Sequence, residues 1–399
     1  MDRAHISRLR RLAAVRSIAR AWRDLIPQTR NSPNAPQRTL LACSGGADSC
    51  ALVLALAAAA SATQRAQRLI VAHIIHDLRA SDLARSDADR ARALAAFVGV
   101  ECVVAEVHPA LHAATETKRN LEALARRERY AALADLAREH NCDAIATAHH
   151  AGDQAETVLM RLLRGTGIDG LRAIHPACDL PPRAASTSDP STSNTSNTSN
   201  SDAPRVRLIR PMLAVTRADA EEICTLAGWQ WGVDHTNADT SRTRAWIRHD
   251  VLPMLESRAP GATQRLASTA AHAQSAHQAL HQHARELWQA SRISRDEPAI
   301  TLDRAILRDA PTHIASMVLR RAIRSASART KMDRVNAHAM ARAVALIQDR
   351  VGGERRIHLA GASLYITRDH VRITPHTAAT TPPASTRQES TSNPSKEST

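Results

Sequence analysis

Aromatic side chains are scarce: five tryptophans, two tyrosines and one phenylalanine in 399 residues. That scarcity argues against nucleic-acid modules that hold bases on rows of stacked rings, so any RNA contact has to rest mainly on phosphates and shape. Lysine is nearly missing too, with only Lys118, Lys331 and Lys396, which leaves arginine to carry the positive charge. The six cysteines, Cys43, Cys50, Cys102, Cys142, Cys178 and Cys224, form no C-x-x-C pair, and no secretory signal is seen. This argues against a disulfide scaffold and reads as a reduced, intracellular, cytoplasmic setting. The most apolar run, Cys50 to Ala62, falls short of the roughly 20 residues that span a bilayer, so no membrane segment is expected.

What is present is enough for two folded units, since the length exceeds a usual single core and 43% of the residues are hydrophobic. Lys and Arg total 53 against 39 Asp and Glu, a net charge of +14. A polyanionic partner is one reading of that excess; arginines spread over a solvated surface is the other.

Along the chain, residues 1–37 read as an arginine-studded amphipathic helix, His5 to Leu25, and a linker through Pro27, Pro33 and Pro36. Residues 38–255 alternate short β-rich runs (Thr39 to Cys43, Leu69 to Ile74, Glu101 to Val107, Asp143 to Thr147) with longer helical ones, the signature of a parallel α/β sheet. Within them, residues 181–204 collapse into serine, threonine and asparagine and are expected to be a disordered insertion; a strand at Arg205 to Ile209 and a helix at Thr216 to Ala227 follow. A boundary is expected near Pro253 to Gly261. Residues 256–375 predict a mostly helical unit with a short β meander from Arg355 to Thr374, and residues 376–399 a disordered tail.

The segment Ser44-Gly45-Gly46-Ala47-Asp48-Ser49 lies directly after an apolar strand and before a helix. Paired glycines let the backbone turn and aim N–H groups outward, the helix start adds its positive dipole end, and the two serines add hydroxyl donors, so a phosphate chain can sit there. Asp48 makes sense facing Mg²⁺ on those phosphates. The plainer alternative is a strand-to-helix turn capped by Asp48 or Ser49. It is not a Walker A loop, because the lysine is missing.

That loop resembles the SGGxDS loop of the N-type ATP pyrophosphatases, the PP-loop family, and the rest of residues 38–260 is similar to its tRNA(Ile)-lysidine synthetase branch. The similarity runs through His73-Ile74-Ile75-His76-Asp77-Leu78-Arg79, Asn120-Leu121-Glu122 to Arg129-Tyr130, and Ala146 to Thr157. It continues through Arg164 to Gly170, Arg210-Pro211-Met212-Leu213, Trp231 to Asn237 and Arg244-Ala245-Trp246-Ile247-Arg248. Ile75, Gly152 and Ala245 depart from the family's usual residues. The Arg164 to Gly170 glycines match G-x-G-x-x-G formally, but a helix precedes them, which excludes a dinucleotide fingerprint.

The resemblance implies a PP-loop α/β domain, adenine nucleotide α-hydrolase-like, followed by a smaller, mostly helical domain that grips tRNA. It implies an ATP-dependent ligase joining free L-lysine to C2 of the wobble cytidine of tRNA(Ile) with a CAU anticodon, through an adenylated base. ATP would be held by Ser44, Gly45, Gly46, Ala47, Asp48 and Ser49, with Mg²⁺ at Asp48. Lysine would be bound by Arg129, Asp153 and Glu156, and Asp48, Asp153 and Glu156 would form the catalytic set, either of the last two accepting the amine's proton. Asp153 and Glu156 also read as a plain D-x-x-E capping box. Arg244 and Arg248, at i and i+4, are candidate tRNA contacts, with surface arginines as the alternative. His73 and His76 are expected only to line the pocket. The family's further C-terminal module is expected to be reduced or absent, and a homodimer is left open. The closest rival is a PP-loop tRNA cytidine thiolase, which would need paired cysteines.

Overall fold

The computed structural model describes residues 1–27, 37–61, 69–77, 81–109, 118–180, 206–232, 243–294, 299–326, 337–350, 353–359 and 361–375. The expected insertion at 181–204, the tail at 376–399 and the motif residues 78–79 and 233–237 lie outside the described residues. The chain divides into two compact units, Met1–His277 and Gln278–Thr399.

The first unit is built on a six-stranded sheet of order β3-β2-β1-β4-β6-β5. Its strands are β1 (Thr39–Ala42), β2 (Leu69–His76), β3 (Glu101–Val107), β4 (Ala144–Ala146), β5 (Ala177–Leu180) and β6 (Val206–Ile209). All neighbours pair in parallel except the edge pair β5 and β6. The chain winds outward from β1 to β2 and β3, then returns to place β4 on the other side of β1. That reversal leaves a crevice beyond the carboxyl ends of β1 and β4, the usual place for a ligand in an open α/β sheet.

Helices cover both faces. On one face Tyr130, Leu133, Ala134 and Ala137 of the helix Lys118–Glu139 pack on Leu40, Ile70 and Ile145. On the other lies the helix Ala47–Ser61, which is buried almost all round. It is enclosed by α1 (Arg3–Arg11), α2 (Ala13–Leu25) and the helix Arg217–Leu226. This explains the alanine-rich apolar run: it is a buried core helix, and no described helix is long and apolar enough to cross a membrane.

The amino-terminal segment therefore differs from the single helix expected. Leu12 is extended at ψ 135°, breaking it into α1 and α2, and Leu9, Val15, Ile18 and Trp22 are part of the sheet unit's core. The expected boundary at 253–261 also moves, because Leu266 and Ala270 of the helix Ala262–Ser291 pack on Val158 and Ala173 of the first unit.

The second unit holds more β-structure than the sequence suggested. Its sheet has five strands in the order β7-β8-β11-β10-β9, antiparallel in every pairing. The expected meander supplies β9 (Arg355–Leu359), β10 (Ala362–Ile366) and β11 (His370–Pro375); β7 (Arg292–Ser294) and β8 (Ile300–Asp303) add to it. Ile314, Val318, Leu319 and Ile323 of the helix Thr312–Ala326 close its core. Arg304 is buried yet satisfied, donating to the carbonyls of Ile347, Thr367, Leu346 and Asp349.

Candidate active site

The turn after β1 is the first part of the site. Gly45 sits at φ +85°, a conformation that side chains rarely adopt, and its carbonyl accepts the Gly232 N–H at 2.9 Å. Ser49 Oγ knits the turn, donating to Gly46 O at 3.0 Å and accepting the Ser44 N–H at 3.1 Å. From below, the Cys43 N–H donates to Ala72 O at 2.8 Å, and His73 Nδ1 lies 2.8 Å from Cys43 O. His73 is thus a support of the turn. Asp48, in the first turn of the following helix, is different: its Oδ1 is buried with no hydrogen-bond partner. Burial raises its pKa, against the opposing charges of His150 and Arg217.

The second part comes from the turn after β4. His150 is the N-cap of the helix Ala151–Leu163: its Nδ1 accepts the Gly152 N–H at 2.9 Å while Asp153 Oδ2 accepts the His150 N–H at 3.0 Å. The capping box therefore runs from His150 to Asp153, not from Asp153 to Glu156 as the D-x-x-E spacing suggested. Glu156 lies a turn deeper and is 1% exposed. His149 is partly buried with Nδ1 3.0 Å from Thr147 Oγ1, and the loss of water around the ring pushes its pKa down to about 3.

The third part is the pair of arginines expected to touch tRNA. Ile247 is fully buried against Ala155 and Leu252, and a π-helical turn, Ile247–Val251, continues the short helix Thr243–Trp246. π-Helical turns of this kind recur at functional sites. This packing swings Arg244 and Arg248 onto the two carboxylates. Arg244 donates from Nε to Glu156 Oε2 at 2.7 Å and from Nη2 to Asp153 Oδ1 at 2.9 Å. Arg248 donates from Nε to Glu156 Oε1 and from Nη2 to Glu156 Oε2 at 3.1 Å. The four side chains form one ion cluster of zero net charge.

That cluster changes the roles read from sequence. Every carboxylate oxygen of Asp153 and Glu156 already accepts a hydrogen bond, and Glu156 is almost fully buried, so in this arrangement an incoming amine meets only the lone pairs left on Asp153 at the cavity wall. Burial would raise the Asp153 pKa, but His150, His149, Arg244 and the His150 amide together hold it down to about 2. A carboxylate held there is a poor proton acceptor at neutral pH. Arg244 and Arg248 keep 43% and 37% of their side-chain surface exposed.

These parts line one cavity of about 630 Å³, walled by the glycine turn, the end of β2 from Ala72 to His76, and Thr147 to His150. Asp153 and Arg248 reach it, as does Arg129 on the helix Lys118–Glu139. Ala47 is buried in the helix behind the turn, and Glu156 and Arg244 stand behind Asp153 and Arg248. Sequence reasoning missed three wall residues. Arg217 follows the Thr216 cap of its helix, and Arg90 bonds Asp87 at 3.0 Å. The third is His150, which was hard to read as a cap because histidine is not among the usual N-cap residues.

Residues 16–255 match the PP-loop domain family. The chain is 37% identical over 250 residues to the tRNA(Ile)-lysidine synthase of Bordetella bronchiseptica (strain ATCC BAA-588 / NCTC 13252 / RB50), covering 62% of this chain and 61% of that protein. It is 36% identical over 249 residues to the tRNA(Ile)-lysidine synthase of Deinococcus deserti (strain DSM 17065 / CIP 109153 / LMG 22923 / VCD115), covering 62% of this chain and 39% of that one. The chain thus spans between about two fifths and three fifths of the length of these two relatives. A weaker likeness, with a TM-score of 0.44 and 15% identity, is to the U34-tRNA thiolase NcsA from Methanococcus maripaludis with its [4Fe-4S] cluster, over 65% of this chain and 79% of that one. The glycine turn at the carboxyl end of β1, the sheet order and the matched span agree: the chain belongs to the PP-loop family.

Proposed function

We propose that this protein is a tRNA(Ile)-lysidine synthetase, acting in the cytoplasm on ATP, free L-lysine and the wobble cytidine of a CAU-anticodon tRNA(Ile). The observation that carries the reading is a single cavity in which the glycine turn, with the buried Asp48 Oδ1 that lacks a hydrogen-bond partner, faces Asp153 and Arg248 across His150. The names of the two lysidine synthases it resembles support the same reading.

In the first step the C2 oxygen of the cytidine attacks the α-phosphorus of ATP and pyrophosphate leaves. The turn amides of Gly45 to Ala47 and the Ser44 hydroxyl stabilise charge on the departing pyrophosphate. Asp48 fits a magnesium ion: its buried Oδ1 lacks a partner, and a cation there would offset the cost of keeping the carboxylate ionised. Among the described residues no group of three His, Cys, Asp or Glu forms a cage, so phosphate oxygens and water would complete the ligand set. When bound, the ion would neutralise phosphate charge.

In the second step the lysine side-chain amine attacks C2 and AMP departs with the former C2 oxygen. Asp153 and Glu156 supply the anionic surface for lysine's amino groups, and Arg129 the cation for its carboxylate. The carboxylates become available when Arg244 and Arg248 turn outward to tRNA phosphates, an exchange of one cation for another that leaves the cluster's charge balanced. With Arg244 turned away, one of the cations that hold the Asp153 carboxyl down is gone, so Asp153 or Glu156 can also take the proton that the lysine ammonium must lose before it attacks. The thiolase reading is not favoured by the cysteines: Cys43, Cys50 and Cys224 are free thiols buried in the core around the helix Ala47–Ser61, and although Cys43 and Cys50 hydrogen-bond each other, that contact and burial raise the pKa of Cys50 and burial raises that of Cys224, which opposes a reactive thiolate.

The test is purified protein with ATP, Mg²⁺, labelled lysine and transcript tRNA(Ile), followed by nucleoside analysis. Lysidine at the wobble position is the expected product; failure to incorporate lysine, with no lysine-dependent release of AMP, overturns the proposal.

A further inference from the structure

His150 and Gly152 are matched in a way the cap alone does not require. A Cβ placed on Gly152 would stand 2.6 Å from His150 Cε1 and 2.9 Å from Nδ1, closer than side-chain atoms approach. Only a residue without a side chain lets the imidazole fold back over the start of the helix.

Folding back fixes the ring's chemistry. Because Nδ1 accepts the Gly152 N–H, the ring's own proton sits on Nε2. Nε2 then faces the cavity, 3.8 Å from Asp48 Oδ2 and 3.7 Å from Asp153 Oδ2, beyond hydrogen-bonding distance of either. It is a donor with a set direction beside the glycine turn, and the same geometry prevents it from being a metal ligand, since its lone pair is on the capped side.

We propose that His150 donates its Nε2–H to a phosphate oxygen of bound ATP, and that Gly152 is the residue that makes room for this placement. The inference rests on the lysidine synthetase reading for its ligand. The cap holds the ring at no cost in ordering when nucleotide arrives, so the donor adds to the turn amides in stabilising the pyrophosphate.

The test compares wild type, His150→Asn and Gly152→Ala as full chains. Asn is among the best N-caps, so His150→Asn keeps the helix start while its short side chain withdraws the distal donor. ATP with Mg²⁺ is titrated by calorimetry, and ¹⁵N spectra of the wild-type ring report its tautomer. Expected are a ring protonated at Nε2, and affinity reduced by about 10-fold or more in both variants, as for a lost hydrogen bond to a charged group. The alanine at 152 would act although His150 is still present. Wild-type affinity in His150→Asn, or a ring protonated at Nδ1, overturns the inference and leaves His150 a cap only. Should His150→Asn not fold, Gly152→Ala and the tautomer decide alone. A wild type that binds ATP yet makes no lysidine would fail the functional reading instead.

Discussion

At the scale of single residues, Asp48 carries a cost that only a ligand relieves. Its Oδ1 is buried without a hydrogen-bond partner and burial raises its pKa, so unless a cation is bound the ionised carboxylate opposes folding at neutral pH. Asp48→Asn removes that charge with almost no change in volume. The variant is expected to melt a few degrees above wild type without ligand, while ATP-dependent turnover is lost; a lower melting temperature would show that Asp48 is stabilising rather than functional. His149 and His175 act in the opposite sense with pH. Burial holds their pKa values down to about 3 and about 4, while in the unfolded chain they titrate at their ordinary value near 6.5. Below that value the unfolded state binds the protons, so stability falls as pH drops from about 6.5 towards 4, by up to about 1.4 kcal/mol per pH unit for each histidine. Asp153, at about 2, adds a further loss only below about pH 4, as the unfolded carboxyl protonates first. Replacing His149 by Gln should flatten the upper part of that slope, measured by denaturant unfolding between pH 7 and 4.5; curves that overlay would remove His149 from the account.

At the scale of elements, the site depends on one helix, Ala151–Leu163, meeting the π-helical turn over Ile247 and Ala155. Both carboxylates accept from both guanidiniums, but Glu156 takes three of the five hydrogen bonds and is the more deeply buried. Glu156→Gln leaves two arginines facing a neutral amide, and is expected to cost about 2 kcal/mol, the half-exposed guanidiniums letting water take part of the loss. Thermal unfolding reads this directly, and an unchanged midpoint would mean the cluster is held by its backbone. This contact also marks where sequence reading stopped. The parallel strands were legible because each is a short apolar run bounded by turns, and the glycine turn was legible because its chemistry is local. The i, i+4 spacing of Arg244 and Arg248 was visible too, but their partners lie about 90 residues away and are set by how Ile247 packs. The edge strand Ala177–Leu180 was missed since, among the described residues, its sheet partner is β6, 26 to 32 residues onward. The strand Arg292–Ser294 was missed for another reason, lying directly at the end of a 30-residue helix.

At the scale of the whole molecule, the charge is strongly one-sided. An excess of +14 with three lysines means that the positive surface is arginine, whose planar fork pairs with phosphate oxygens two at a time. With eight aromatic residues, and Trp22, Tyr130 and Trp288 among those buried, stacking on bases can contribute little to affinity. Binding of tRNA should then be dominated by release of counterions, which makes the logarithm of affinity fall linearly with the logarithm of salt concentration. If about six phosphates are neutralised, affinity drops about a thousandfold between 50 and 200 mM salt. Arg244→Ala and Arg248→Ala sharpen the test, because each arginine is divided between phosphate and carboxylate. Loss of either should reduce the salt slope by about one contact. It should also loosen the grip on Asp153 and Glu156, so that lysine binds without tRNA more tightly than it does to wild type. Filter binding across a salt series gives the slope and calorimetry gives the lysine affinity. A slope unchanged by both substitutions would confine the two arginines to the ion cluster, and a flat salt dependence would make the arginine excess a solvated surface.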